Sequence, residues 1–134
     1  MKRKNVAVVL AGGSGRRIGG DLPKQFLSVG GRRIIEYSID AFDKNTGIDE
    51  IAVVVNKDFV SLMEEIAAAN SWSKLKHILN GGNERSDSSM SAIRAYAGID
   101  CNLIFHDAVR PMVSQRIISD VVSALDTYNS VAVA

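Results

Sequence analysis

The strongest constraint on the fold is an unbroken apolar run near the start of the chain, Val6 to Ala11, preceded by Asn5. Alternation of apolar and polar residues would predict a strand with one face exposed to solvent. An unbroken β-branched run is instead typical of a strand that is buried on both faces of a parallel sheet. Shorter runs of the same kind predict four further strands, at residues 50–55, 75–79, 103–105 and 131–134. Segments with helical spacing separate them. This alternation predicts an α/β fold in three layers, with a mostly parallel, Rossmann-like sheet.

The spacing of apolar residues predicts four helices, the first over about residues 33–43. Asp58 is expected to cap the second helix and Ser114 the fourth, because short polar side chains accept hydrogen bonds from the first free backbone N–H groups. The predicted inward faces are Val60, Met63, Ile66 and Ala67 in the second helix, Met90, Ile93 and Ala97 in the third, and Ile117, Ile118, Val121, Val122 and Leu125 in the fourth. Gly30 and Gly31 predict a tight turn before the first helix.

Net charge and cysteine content exclude several classes of protein. The formal net charge is +1, so no global field attracts nucleic acid or an anionic membrane. The first apolar run is too short for a signal peptide, and no run reaches the roughly 18 to 20 apolar residues of a membrane span. Cys101 is the only cysteine, which excludes an intrachain disulfide and a cysteine-based zinc cluster. We therefore expect a cytoplasmic protein with no nucleic-acid or membrane partner.

The segment after the first predicted strand combines glycines with cations. It fails two glycine fingerprints, because Ile18 stands where a dinucleotide loop needs its third glycine and Asp21 stands where a G-x-x-x-x-G-K loop needs lysine. Its composition still fits phosphate binding, since backbone N–H groups around Gly12 to Gly15 can form an anion nest. Arg17 would add a bidentate grip and Lys24 a point charge.

Two further motifs follow other strands, and all three should converge on a crevice at the carboxyl ends of the strands, where the strand order reverses. They are Gly81-Gly82-Asn83-Glu84-Arg85-Ser86-Asp87-Ser88 and His106-Asp107-Ala108-Val109-Arg110-Pro111. Together with Leu10-Ala11-Gly12-Gly13 and Pro23-Lys24-Gln25, they resemble the motifs of the cytidylyltransferases that act on polyol phosphates. The resemblance runs over essentially the whole chain. It implies a nucleotidyltransferase sheet of the nucleotide-diphospho-sugar transferase type, and transfer of CMP from CTP to a polyol phosphate, with Mg²⁺ as cofactor and release of pyrophosphate.

The resemblance also separates two branches of the family, which use ribitol 5-phosphate and 2-C-methyl-D-erythritol 4-phosphate as acceptors. Leu10 at the start of the glycine-rich segment, the run Leu22 to Leu27 and Val109 look more like the ribitol 5-phosphate branch. The favoured reaction is therefore the formation of CDP-ribitol, and the methylerythritol reaction is the alternative.

Roles for individual residues follow from the same resemblance. Arg17, Lys24 and Asp107 match catalytic positions, and Asp107 also matches a position near the ribose and the metal. The positions expected to surround CTP are Leu10, Ala11, Gly12, Gly13, Ser14, Gly15, Gly82, Asn83, Ser88, Ala108 and Arg110. Aspartate is common in the family where Asn83 stands. His106 is expected to order the turn at Asp107 rather than to act as a base, because a phosphate dianion needs no base to attack.

Members of the family are usually longer than this chain. Residues 1–134 are therefore expected to form the N-terminal, nucleotide-binding portion of a single domain, and the full-length protein to be a homodimer. A fragment that binds CTP without turnover remains an alternative. A related glycosyltransferase would need an Asp-x-Asp motif, which the sequence lacks. An NAD-dependent oxidoreductase is disfavoured by the failed glycine spacing and by Asn56 and Lys57, which stand where an acidic residue would bind the ribose.

Overall fold

The computed structural model of the protein describes residues 3–11, 22–82, 85–110 and 114–125. The strand expected at 131–134 lies outside these residues. Within them, strands and helices alternate as β1 Lys4–Ala11, β2 Ser28–Val29, β3 Arg32–Arg33, α1 Ile34–Asp43, β4 Glu50–Asn56, α2 Val60–Ala68, β5 Leu75–Gly81, α3 Arg85–Ala95, β6 Cys101–Asp107 and α4 Gln115–Leu125. None of the described helices has the length and apolar character needed to cross a membrane.

The central sheet is parallel, as predicted, with the strand order β5-β4-β1-β6. The chain moves outward from β1 through β4 to β5, and then returns to place β6 on the other side of β1. The strand order therefore reverses between β1 and β6, which is where ligands bind in open α/β sheets. Leu10 of β1 lies opposite both Val54 of β4 and Asp107 of β6, so the carboxyl ends of these strands are level.

Both faces of the sheet are covered, which explains the unbroken apolar run of β1. Val6 to Val9 are completely buried. Ala7, Val9 and Ala11 belong to a core shared with α1, α2 and α4. The intervening residues Val6, Val8 and Leu10 belong to a second core with Ala92 and Tyr96, which α3 and the turn after it contribute. The three predicted layers are confirmed.

A short hairpin stands between β1 and α1. The strands β2 and β3 pair in antiparallel fashion around Gly30 and Gly31, whose φ angles are 62° and 85°. A two-residue hairpin turn of this kind requires positive φ at both positions, which glycine adopts without a steric penalty. The predicted tight turn is confirmed.

The two predicted helix caps have opposite outcomes. Ser114 does cap α4, because its Oγ accepts a hydrogen bond from the Ile117 N–H at 3.1 Å. Asp58 does not cap α2. Instead, the Asn56 side chain accepts a hydrogen bond from the Asp58 N–H at 2.9 Å and begins a short 3₁₀ turn that leads into the helix.

The predicted inner face of α3 is wrong. Met90 and Ile93 are 42% and 44% exposed, whereas Ser88, Ala92 and Tyr96 are buried against the sheet. The small side chains at 88 and 92 let the helix approach the strands closely, and the larger apolar residues lie on its outer side. Ile117 of α4 is also exposed, while Ile118 and Val121 of that helix are buried as expected.

Candidate functional site

The carboxyl ends of three strands converge at one edge of the sheet. Leu10 and Ala11 end β1, Gly81 ends β5, and Asp107 ends β6. The Ala108 N–H donates to the Leu10 carbonyl at 2.9 Å, extending the contact between β1 and β6 past the last strand residue. The structure therefore brings together Leu10, Ala11, Asp107 and Ala108, as the sequence predicted. Other expected site residues lie outside the described part of the chain, namely Gly12, Gly13, Ser14, Gly15, Arg17 and Asn83.

The turn after β6 is held by its own backbone and side chains. The Asp107 carboxylate accepts a hydrogen bond from the Val109 N–H at 3.1 Å, and the Asp107 carbonyl accepts one from the Arg110 N–H at 3.1 Å. The Ser38 hydroxyl, completely buried in α1, lies 3.3 Å from the carbonyl oxygens of both Ala108 and Arg110. These contacts fix Asp107 and Arg110 relative to the first helix.

His106 also supports this turn. Its Nε2 lies 2.7 Å from the Arg110 carbonyl oxygen, so Nε2 carries the hydrogen and donates it. The imidazole packs edge-on against Phe42, with ring centroids 5.3 Å apart. Burial lowers the pKa of His106 and favours the neutral ring at pH 7. This arrangement fits the expected ordering role, because the Nε2 proton is already engaged.

The connection from β5 to α3 depends on two glycines. A Cβ atom on Gly81 would lie 2.5 Å from the Ser88 Oγ and 2.9 Å from Val54, and one on Gly82 would lie 2.3 Å from the Asp87 Cβ. These separations are too short for any side chain. The glycines therefore allow the end of β5 to lie directly against the first turn of α3.

Ser88 is the unusual residue of this connection. It is 1% exposed, and its Oγ has no hydrogen-bond partner among the described residues. Leaving a buried hydroxyl without a partner costs about 1–3 kcal/mol, and groups of this kind call for an explanation such as a ligand or a water molecule. Ser88 lies near Val54, which pairs with Leu10. The structure thus places an unpaired hydroxyl beside the predicted nucleotide positions.

Lys24 lies on a short 3₁₀ turn formed by Lys24–Phe26. Its side chain is exposed, whereas Gln25 is 8% exposed and Phe26 is completely buried. The Gln25 Nε2 donates to the Ala11 carbonyl at 2.8 Å, so the turn is joined to the end of β1. Sequence reasoning included Gln25 in a motif but gave it no role, because its contact with Ala11 appears only in the folded chain.

The described residues contain no group of three or more His, Cys, Asp or Glu side chains that could hold a metal ion. Asp107 offers carboxylate oxygens, the donor type that Mg²⁺ prefers. A single carboxylate fits a Mg²⁺ ion that takes its other ligands from phosphate groups and water. The donor set therefore agrees with a metal carried by a nucleotide, and not with a site built from the described protein residues alone.

Comparison with known proteins finds similar sequences that belong to one kind of enzyme. The family described as IspD, 2-C-methyl-D-erythritol 4-phosphate cytidylyltransferase, matches residues 5–134. The chain is 42% identical to the bifunctional ribulose 5-phosphate reductase/CDP-ribitol pyrophosphorylase Bcs1 of Haemophilus influenzae, over 99% of this chain and 28% of that protein. It is 43% identical to the 2-C-methyl-D-erythritol 4-phosphate cytidylyltransferase of Bifidobacterium longum, over 96% of this chain and 46% of that protein.

Comparison of the fold with solved structures finds a protein of the same kind. The crystal structure of 4-diphosphocytidyl-2C-methyl-D-erythritol synthase from Anaerococcus prevotii matches with a TM-score of 0.77 and 25% identity, covering 93% of this chain and 52% of that one. This match confirms the predicted nucleotidyltransferase sheet. The chain spans about half the length, or less, of these relatives.

Proposed function

The chain belongs to the IspD family of cytidylyltransferases, and from this premise we propose that the protein transfers CMP from CTP to D-ribitol 5-phosphate, forming CDP-ribitol and pyrophosphate. The observation that carries the proposal is the buried Ser88 hydroxyl, which has no hydrogen-bond partner among the described residues and lies near Gly81 and Val54, at the carboxyl ends of β5 and β4. A buried hydroxyl without a partner among these residues is suited to hydrogen-bond a ligand, and nucleotides bind at the carboxyl ends of the strands in such sheets.

The reaction requires two anions to meet. A phosphate oxygen of ribitol 5-phosphate attacks the α-phosphorus of CTP in line, the bond to the β-phosphate breaks, and pyrophosphate leaves with the bonding electrons. The attacking group is already a dianion, so no base is required. Positioning and electrostatic stabilisation therefore supply the catalysis.

We assign a separate role in this reaction to each of three described residues. Lys24 is exposed on a turn joined to the end of β1, where its ammonium group would neutralise triphosphate charge alongside Arg17 and the glycine-rich backbone. Ser88 would hydrogen-bond the base, next to the backbone of Leu10. Asp107 would hold Mg²⁺, which when bound shields the phosphate charges.

Support for the acceptor comes from two directions. The Leu10-Ala11-Gly12-Gly13 segment, Val109 and the similarity to the CDP-ribitol pyrophosphorylase Bcs1 favour ribitol 5-phosphate. Similarity to the Bifidobacterium longum enzyme favours 2-C-methyl-D-erythritol 4-phosphate as the second candidate. The proposal includes a homodimeric full-length protein that acts in the cytoplasm, as the family resemblance implies.

The test measures pyrophosphate release from CTP and Mg²⁺ by the full-length protein, with the two acceptors in parallel. We expect turnover with ribitol 5-phosphate. Turnover with 2-C-methyl-D-erythritol 4-phosphate alone would show that this compound, and not ribitol 5-phosphate, is the acceptor. CTP binding without turnover of either acceptor would reject the proposed transfer reaction.

Lys24→Ala tests the phosphate-binding role in the same assay. We expect kcat to fall by about 10²–10³-fold with an unchanged circular dichroism spectrum, because one charge-stabilising group is removed. Lys76→Ala, at an exposed lysine near the opposite end of β5, is the control and should be active. Near-normal turnover by Lys24→Ala would contradict the assignment.

A further inference from the structure

A buried glutamine connects the turn that carries Lys24 to the central strand. The Gln25 side chain is 8% exposed, and its Nε2 lies 2.8 Å from the carbonyl oxygen of Ala11, a residue 14 positions earlier in the chain. Ala11 is the last residue of β1. The glycine-rich segment therefore starts directly after one partner of this hydrogen bond, and Lys24 directly precedes the other.

The far side of the same turn is held by different contacts. Phe26 is completely buried and stacks on Phe59, with ring centroids 5.5 Å apart. The Arg33 guanidinium donates to the Phe26 carbonyl at 2.6 Å, and the Ile34 N–H donates to the Leu27 carbonyl at 2.9 Å. These contacts anchor the turn to the segment before α2, to the hairpin and to α1, and the Gln25 amide adds a hydrogen bond to the end of β1.

The amide is chemically suited to this contact. The Ala11 carbonyl only accepts hydrogen bonds, so its buried partner must be a donor. A lysine at this place would bring a charge into an apolar environment at a large desolvation cost, and a glutamate would present a second acceptor. A neutral amide donates without either penalty.

We propose that Gln25 is a positioning residue that fixes Lys24 beside the end of β1. Lys24 neutralises phosphate charge only where its ammonium group is held at the right distance, and a displacement of about 1 Å can cost roughly 10²-fold in rate. The catalytic consequence rests on the proposed cytidylyltransferase function, whereas the anchoring itself does not.

The anchoring is tested in the full-length protein without any substrate. In nuclear magnetic resonance spectra of the wild type, we expect the side-chain amide protons of Gln25 to exchange with solvent much more slowly than those of Gln115. The Gln115 amide also donates to a backbone carbonyl, that of Ala41, but the residue is exposed, so it is a matched comparison. Equal exchange rates would overturn the proposal, and this readout needs no variant.

Gln25→Met then removes the donor while keeping the side-chain length. We expect faster hydrogen exchange of the backbone at residues 22–27, with exchange in β4 unchanged. Asn45→Ala is the control, since Asn45 is a 5% exposed amide whose partners are Gln115, Ser119 and Gly47, away from the Lys24 turn. Unchanged exchange at 22–27 in Gln25→Met would contradict the anchoring role.

The catalytic consequence is measured as a double-mutant cycle. Gln25→Met should lower kcat by about ten- to a hundredfold. In a Lys24→Ala background the same change should cost less than about threefold, because a residue that acts through Lys24 loses its effect once Lys24 is gone. Equal losses in both backgrounds would reject the positioning role. Inactivity of the wild type would reject the proposed function, while the exchange experiments would still decide the anchoring.

Discussion

Replacing Ser88 with alanine should stabilise the ligand-free protein and weaken its binding of CTP. Ser88 is 1% exposed and its Oγ has no hydrogen-bond partner among the described residues. Alanine removes the oxygen, keeps the Cβ that packs near Gly81, and is the better helix former. A change that improves folding and impairs binding is the signature of a residue retained for its ligand.

The magnitudes follow from these environments. Removal of a buried hydroxyl that has no partner should raise the free energy of unfolding by about 1–3 kcal/mol. The higher helix propensity of alanine adds up to roughly 0.5 kcal/mol. Loss of some packing offsets part of this, so we expect a net gain of about 1 kcal/mol, or a Tm rise of about 2–8 °C. Loss of one hydrogen bond to the base costs about 0.5–1.5 kcal/mol, which weakens the CTP Kd by roughly two- to tenfold.

Thermal unfolding and calorimetric titration of CTP on the full-length protein measure both effects. Ser38→Ala is the matched control, because Ser38 is an equally buried helix serine whose hydroxyl does have acceptors, the Ala108 and Arg110 carbonyls. Its replacement should lower Tm. A lower Tm for Ser88→Ala, or an unchanged CTP affinity, would refute the reasoning.

Two further predictions concern the remainder of the described structure. Gly82→Ala should destabilise the protein by about 1–3 kcal/mol and weaken CTP binding, because the new Cβ would lie 2.3 Å from the Asp87 Cβ; denaturant unfolding and titration check this. Glu50→Gln should lower Tm at pH 7 but progressively less below about pH 4. Burial alone would raise the Glu50 pKa, but hydrogen bonds from Tyr96 and Lys4 outweigh it and hold this pKa below its usual value, so the stabilisation is lost as pH falls through it. A difference in Tm that stays constant from pH 7 to pH 3 would contradict this.

The sequence allowed the sheet to be predicted because burial on both faces leaves an unambiguous mark. Every residue of β1 from Val6 to Ala11 is apolar, whichever core it enters, and such a run has few alternative structures. The face of α3 could not be predicted in the same way. Met90 and Ile93 are the largest apolar residues of this helix, yet they are exposed. Ser88 and Ala92 face the sheet instead, because their small side chains allow the helix to pack closely against the strands.

The meeting of the motifs at one edge of the sheet was predictable from the sequence, but the contacts around them were not. Motifs after β1, β5 and β6 had to meet because parallel strands end at one edge. The same reasoning could not show that Ser88 is buried with no partner among the described residues, or that the Gln25 amide reaches the Ala11 carbonyl. Both facts depend on distances between segments that are remote in sequence, and no local pattern records them.

The strand order has a consequence for the synthesis of the protein. β1 pairs with β4 and β5 follows, so three strands can associate as soon as the chain has been made through Gly81. β6 joins β1 from the other side and cannot do so until Cys101–Asp107 has left the ribosome. Domains acquire their long-range pairings late, because loop closure must come before contact. We therefore expect the pairing of β1 with β6 to be the last pairing of the described sheet to form during synthesis, so that the edge where Leu10 faces Asp107 is completed only then.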